Sequence, residues 1–284
     1  MQKLNKEILV FLVLVFAFSS LPYYLMIHTG HVAAYHGWAV RGVMWCPALA
    51  AFAAGLFFKG SFKNLGWRIR TGRTLAWGYF LPVLYTLPVY AGCWLFVRGS
   101  FTSRQFSAAF VKLFHMSNPD AAAIVGILAL ATLGIPLSLL NATGEEIGWR
   151  GFLLPRLATR FGFTTGCLIS GSVWAIWHYP ALLFSDYNAG TQPAYALLCF
   201  TLMVIPMAFV MGWLRLKSGS LWPCALLHAS HNLFVQAVFD ELTAPVGRAK
   251  YITTEFGFGL VLTITAAAIY FWSRRAELPQ AAAA

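Results

Sequence analysis

Apolar runs long enough to cross a bilayer recur along almost the whole chain, and that leaves few folds open to it. A backbone carried through hydrocarbon must satisfy its own N–H and C=O groups, so such runs are read as helices. Eight stretches of about 17 to 24 residues qualify, roughly 8–27, 40–58, 75–97, 121–141 with its continuation, 164–184, 194–214, 219–239 and 255–273. Hydrophobic residues make up 59% of the 284 and charged residues only 10%, whereas a soluble surface normally needs charged residues nearer a quarter. The expectation is an all-α, polytopic membrane protein of about eight transmembrane helices.

The first run follows Lys3 and Lys6. It continues into Leu21-Pro22-Tyr23-Tyr24 without a small-residue cleavage site, and so reads as a signal anchor rather than a removable leader. With the N-terminus in the cytosol, the inner segments collect Lys3, Lys6, Lys59, Lys63, Arg68, Arg70, Arg73, Arg150, Arg156, Arg160, Arg215, Lys217, Arg274 and Arg275, most of the 20 basic residues. The outer segments hold Arg41, Arg98, Arg104, Lys112, Arg248 and Lys250 beside Asp120, Asp186, Asp240, Glu241 and Glu255. The positive-inside rule then puts both termini in the cytosol of a multi-pass protein of the inner, cell membrane. A net charge of +11 is accounted for by basic residues flanking spans and meeting anionic headgroups, so membrane lipids are expected partners and nucleic acid is not. Cys46, Cys93, Cys167, Cys199 and Cys224 fall within spans and lack CxxC spacing, which suits small core residues better than disulfides or ligands.

The chain reads as a single integral domain, 1–284, with no internal repeat and a disordered tail from about 277 to 284 that ends in Ala281 to Ala284. The connection at about 98–120 mixes Phe101, Phe106, Phe110 and Phe114 with Arg104, Lys112 and His115. That pattern fits an amphipathic interfacial helix, with an ordinary loop as the alternative. Polar residues able to do chemistry concentrate in a core of about 121–240, which leaves the first three helices as scaffold and access walls.

Three polar groupings stand out. Gly144-Glu145-Glu146-Ile147-Gly148-Trp149-Arg150 places three ionisable residues at the end of an apolar run in a chain with nine acidic residues. Burying such groups at mid-bilayer costs roughly 2.5 to 3.5 kcal/mol each, so they mark a functional site by default. Glu146 and Arg150 share a helix face in the order that favours an ion pair. Glu145 points elsewhere and is the carboxylate left free to act as a general base; a purely structural ion pair at the membrane surface is the competing reading. Trp174 and His178, four apart on the fifth span, let the indole fix the imidazole plane, although a lone histidine among aromatics is often only a packed core residue. His228 and Asn232, four apart on the seventh span, present an imidazole and an amide as hydrogen-bond donors, with His231 at the edge of their face. Helix packing is the plainer account of that pair.

Two carboxylates, one histidine and a His/Asn pair on separate spans form a minimal set for amide hydrolysis, a base for water and donors for an oxyanion. The geometry makes a demand. Measured from the cytosolic ends of their spans at a rise of 1.5 Å per residue, His178 lies roughly 21 Å deep and His228 roughly 13 Å. The fourth helix therefore has to continue past 141 to about 155, with a bend near Gly134-Ile135-Pro136 or Pro155.

These residues resemble the CPBP family, which groups type II CAAX prenyl endopeptidases with bacteriocin-processing and abortive-infection proteins. Glu145-Glu146 to Arg150 looks like the family's EExxxR motif, Trp174 to His178 its FxxxH motif with Trp in place of Phe, and His228 to Asn232 its HxxxN motif. Asn64-Leu65-Gly66-Trp67-Arg68 is similar to a cytosolic element of bacterial members. The resemblance implies an intramembrane endopeptidase acting on a protein or peptide near the cytosolic face, through a polar cavity within the membrane. Glu145 would activate water with help from His178, His228 and Asn232 would hold the oxyanion, and Glu146, Arg150 and Trp174 would support them. No cofactor is expected; were a divalent ion such as zinc used, His178, His228 and Glu145 would be its ligands, though no HExxH is present. The larger Trp174 narrows the space beside His178, and prenylated substrates are not implied for this chain. Two other classes share these residues: a non-catalytic membrane immunity or scaffold protein, and an ion-coupled transporter, for which neither a repeat nor a second acidic cluster is visible.

Overall fold

Helix starts follow local signals. The Asn118 side chain accepts hydrogen bonds from the backbone N–H groups of Asp120 and Ala121 at 2.9 and 3.2 Å, with Pro119 in the first turn, a cap that satisfies donors a helix cannot satisfy itself. A computed structural model of the protein describes residues 2–69 and 72–279. Arg70 and residues 280–284 of the expected tail lie outside the described residues. The order is α1 (Gln2–Thr29), α2 (Trp38–Phe57), a 3-10 turn (Phe62–Leu65), α3 (Arg73–Phe96), α4 (Arg104–Phe114), α5 (Pro119–Ala129), α6 (Ile135–Glu146), α7 (Leu154–Phe184), α8 (Pro193–Ser218), α9 (Trp222–Asn232), the one-turn α10 (Ala249–Ile252) and α11 (Phe258–Ser273). Wider π-helical turns at Leu130–Gly134 and Ile147–Leu153 join α5 to α6 and α6 to α7, and a third, Leu233–Phe239, extends α9.

The protein is all-helical and an integral membrane protein. Large apolar side chains such as Leu95, Phe96, Leu133 and Leu137 face outward, with Phe96 88% exposed, a surface that only lipid can cover without cost. Five helices are long and apolar enough to cross a membrane, not the eight expected one for one. The difference has three causes. Residues 119–184 run as one continuous helical path, the seventh stretch is divided between α9 and a π turn, and α11 has only 16 residues. The long path holds two limbs, because Gly162 leaves the helical region at φ 76°, ψ 171°, a conformation that glycine adopts without strain.

The fourth helix does not stop at 141. Its π turns fall just before Pro136 and Pro155, as expected where a ring displaces the carbonyl one turn back and an extra residue absorbs the misfit. Central α9 packs on α3, α6 and α8, while α1, α2, α7, α8 and α11 complete the bundle. Gly144 lets α2 approach so closely that a Cβ there would lie 2.7 Å from the Met44 carbonyl oxygen. Gly148, one turn on, meets Pro47 in the same way, the small-residue contact of membrane helix pairs.

The connection at 98–120 does contain a helix: α4 buries Phe106 and stacks Phe106, Phe110 and Phe114 in series against α5. The start of the expected tail is ordered. Arg275–Glu277 is a 3-10 turn, Glu277 accepts a 2.6 Å bond from Arg274 Nε, and Leu278 is buried. On the opposite end, Asp186 accepts hydrogen bonds from Val32 N–H at 2.7 Å and pairs with His31 at 2.9 Å, stapling two loops.

Candidate active site

The EExxxR segment sits where α6 gives way to a π turn, and all of Gly144 to Leu153 is buried. Arg150, counted with the cytosolic charges, is 0% exposed and sets no topology; Arg215, counted likewise, is 6% exposed. Arg215 Nε instead donates to the Arg150 carbonyl at 2.9 Å and its Nη2 to the Asn64 carbonyl at 3.2 Å. The loop 64–68 is thereby seated under the motif, a docking reinforced by the Leu221 N–H to Gly66 bond and by the Trp222 indole to Trp67.

Glu146 and Arg150 form a wholly buried ion pair at 2.8 Å. The same Glu146 oxygen accepts from His228 Nδ1 at 2.9 Å. Since a carboxylate only accepts, Nδ1 carries the proton, and Nε2 donates when the ring bears both protons. Glu146 Oε2, Arg150 Nε and Arg150 Nη2 have no hydrogen-bond partner among the described residues. The guanidinium lies 3.9 Å from the centre of the Trp174 ring, a cation–π contact worth about 2 kcal/mol where water is excluded.

Glu145 is not free. Its Oε2 accepts from the Trp174 indole N–H at 2.8 Å and from Trp149 Nε1 at 3.3 Å. The Trp174 indole packs edge-on against the His178 ring, as expected, but its N–H goes to Glu145, and it is the Trp174 carbonyl that holds His178 Nδ1–H at 2.9 Å. His178 Nε2 is then the basic nitrogen. A phenylalanine at 174 would have no N–H to offer, so the departure from the FxxxH pattern changes what Glu145 is bonded to. Trp174 also meets the His228 ring at 5.5 Å and the His178 ring at 6.0 Å between centres, drawing the residues of three groupings around one indole.

Glu145, Trp174, His178, His228 and Asn232 share the wall of one cavity of about 130 Å³. Glu146 and Arg150 stand behind that wall. Apolar residues of α1, α2 and α8, among them Met26, Val43 and Met207, complete it. Among the described residues no three His, Cys, Asp or Glu side chains converge to hold a metal ion. In the trio named for a divalent ion, His178 and His228 have Nδ1 engaged, which leaves Nε2 as the open nitrogen of each ring, while Glu145 Oε2 is held by indoles.

One wall residue escapes the sequence. Glu255, counted with the outer charges, is 5% exposed and lines this cavity together with His231, Tyr187 and Gln236. It accepts from Tyr187 Oη at 2.8 Å, from Gln236 Nε2 at 3.0 Å and from His231 Nε2 at 3.1 Å, while Tyr85 bonds the other nitrogen of His231. The signal that could have found it is an acid beside Phe256 and Phe258 at the start of an apolar run, in a chain poor in acids.

Fold and site together define a polytopic helical membrane protein with a buried cavity walled by carboxylates, imidazoles and an amide. A family model described as type II CAAX prenyl endopeptidase Rce1-like matches residues 127–234. "CAAX prenyl protease 2" of Methanococcus maripaludis is 31% identical over 143 residues, 49% of this chain and 49% of the relative. The aligned region thus spans about half the length of the curated relative it matches. This central segment, which carries all three motifs, is similar to the Rce1-like type II CAAX prenyl endopeptidases.

Proposed function

We propose that the protein is an intramembrane endopeptidase that cuts a protein or peptide near the cytosolic membrane face. The observation carrying this reading is the Glu145 carboxylate held by two indole N–H groups on the wall of a buried cavity that it shares with His178, His228 and Asn232. Glu145, assisted by His178 Nε2, takes a proton from water as the oxygen attacks the scissile carbonyl carbon. The His228 Nε2–H and the Asn232 amide stabilise the oxyanion. The intermediate collapses, the C–N bond breaks, and the proton held by Glu145 goes to the leaving amine. Glu146 compensates the charge of doubly protonated His228, and Arg150 compensates Glu146. Both termini lie in the cytosol of a cell-membrane protein, lipids surround the bundle, and no nucleic acid is engaged. The activity that the name of the Methanococcus maripaludis relative carries is not extended to this chain.

The test is cleavage of a co-expressed peptide library by wild type and by Glu145→Gln. Loss of about 10³-fold or more in turnover is expected on removing a general base that also guides the nucleophile; equal cleavage by the two proteins would remove the reading. A second reading, an ion relay, draws on Glu255 as a buried acid apart from the Glu145–Glu146 pair, one that the sequence did not reveal. Solute uptake driven by a pH gradient in proteoliposomes, undiminished in Glu145→Gln, would put it first.

A further inference from the structure

Three donors from three different elements converge on Glu255. Tyr187 comes from the loop after α7, His231 from the last turn of α9, and Gln236 from the π turn that follows. His231 and Gln236 meet Glu255 Oε1 and Tyr187 its Oε2, so both oxygens of the one carboxyl are engaged.

Each donor is linked to the proposed machinery, by ring contact or by position on α9 and its π turn. The Tyr187 ring stacks on the His178 ring, 6.3 Å between centres and 28° between planes. Phe256, next to Glu255, packs edge-on against Tyr187 at 5.0 Å and stacks on Phe200, itself 4.9 Å from His178. His231 and Gln236 bracket Asn232 in sequence at the junction between α9 and its π turn. Asn232 is the last residue of α9, directly before the π turn, so the junction that carries it is pinned by His231 on one side and Gln236 on the other.

We propose that Glu255 is a positioning residue: through Tyr187 it fixes the plane of His178, and through His231 and Gln236 it fixes the turn that presents Asn232. The proposal rests on the endopeptidase reading of the site. Glu255 touches neither substrate nor water in this role; it sets the relative placement of a base-side and an oxyanion-side residue carried on separate helices. Small displacements of that kind lower turnover without weakening substrate binding.

Glu255→Gln keeps the size and gives up one acceptor for a donor. In purified full-length protein it is expected to lower kcat about 10- to 100-fold, with KM within about threefold of wild type. Tyr187→Phe loses less, Glu255→Asp recovers part of the loss, and the Glu255→Gln/Tyr187→Phe double variant falls no further than Glu255→Gln, since both act on one contact. A second readout is independent of cleavage. Acylation of His178 by diethyl pyrocarbonate, mapped by mass spectrometry, speeds up in Glu255→Gln and in Tyr187→Phe but not in Glu145→Gln.

Unchanged kcat, additive losses or unaltered His178 acylation would each overturn the proposal. Should Glu255→Gln fail to fold, Tyr187→Phe, which deletes one oxygen, decides alone. Should Glu145→Gln cleave normally, the endopeptidase reading falls by itself, and His178 acylation still reports whether Glu255 sets that ring.

Discussion

Glu146 and Glu255 are both buried carboxylates, each bonded to one imidazole of α9, and they are held by opposite means. Glu146 has a full positive charge 2.8 Å away on its own helical path, and it leaves one oxygen without a partner among the described residues. Glu255 has three side-chain donors, from a phenol, an amide and an imidazole, and both its oxygens are engaged. The first arrangement balances charge and tolerates unmet hydrogen bonds; the second fills hydrogen bonds, and His231 is its ion-pair partner among the described residues. Removing a partner should therefore hurt the first far more than the second.

The largest effect is expected from Arg150→Met. It leaves the Glu146 charge buried without its counter-charge, a loss of about 3 to 5 kcal/mol, read as a collapse in melting temperature and abundance in detergent. A loss no greater than that of Tyr187→Phe would break the comparison. Next comes Trp174→Phe, which removes the shorter of the two indole bonds to Glu145 and should cost about 1 to 3 kcal/mol. Trp149→Phe, which gives up the 3.3 Å bond, should cost less, and the reverse order in thermal melts would show that bond length is a poor guide here. Tyr85→Phe strips one hydroxyl from the Glu255 side and should cost about 1 kcal/mol. A much larger loss would mean that the donor-filled network is as brittle as the arginine-paired one.

The smallest effect lies outside both networks, at the exposed Asp186 staple. Burial raises the Asp186 carboxyl, but the Val32 N–H and His31 outweigh it and leave the group below its ordinary value. A lowered carboxylate contributes stability that is present above its unfolded pKa and lost as pH falls through the folded one. Wild type should thus lose melting temperature on acidification below about pH 4 slightly faster than Asp186→Asn. Parallel curves would assign no role to the staple.

Legibility in the sequence followed the range of each interaction. The Glu146–Arg150 pair is four residues long, so helix periodicity alone exposed it, and apolar run length gave the all-helical membrane fold. The Trp174 indole bond crosses 29 positions, and nothing local distinguishes an indole aimed at a carboxylate from one that packs. Glu255 was hidden by charge counting, which treats every acid flanking a span as solvated, whereas this one folds back into the bundle. The π turns were half visible. Pro136 and Pro155 marked where the long helix had to yield, but a hydrophobic pattern does not show an extra residue in a turn, and Gly162 among helix formers gave no sign of its positive φ.

Glu255 lies downstream of every other residue named in the site, in the short loop between α10 and α11. Synthesis proceeds from the N-terminus, so a growing chain presents Tyr187, His231 and Gln236 before the acceptor that joins them has been made. Each unmet donor costs about 1 to 3 kcal/mol while it stays buried. A chain halted before residue 255 can carry every motif residue and still lack a settled cavity wall. The order of synthesis thereby delays the finished site until nearly the whole bundle has been made.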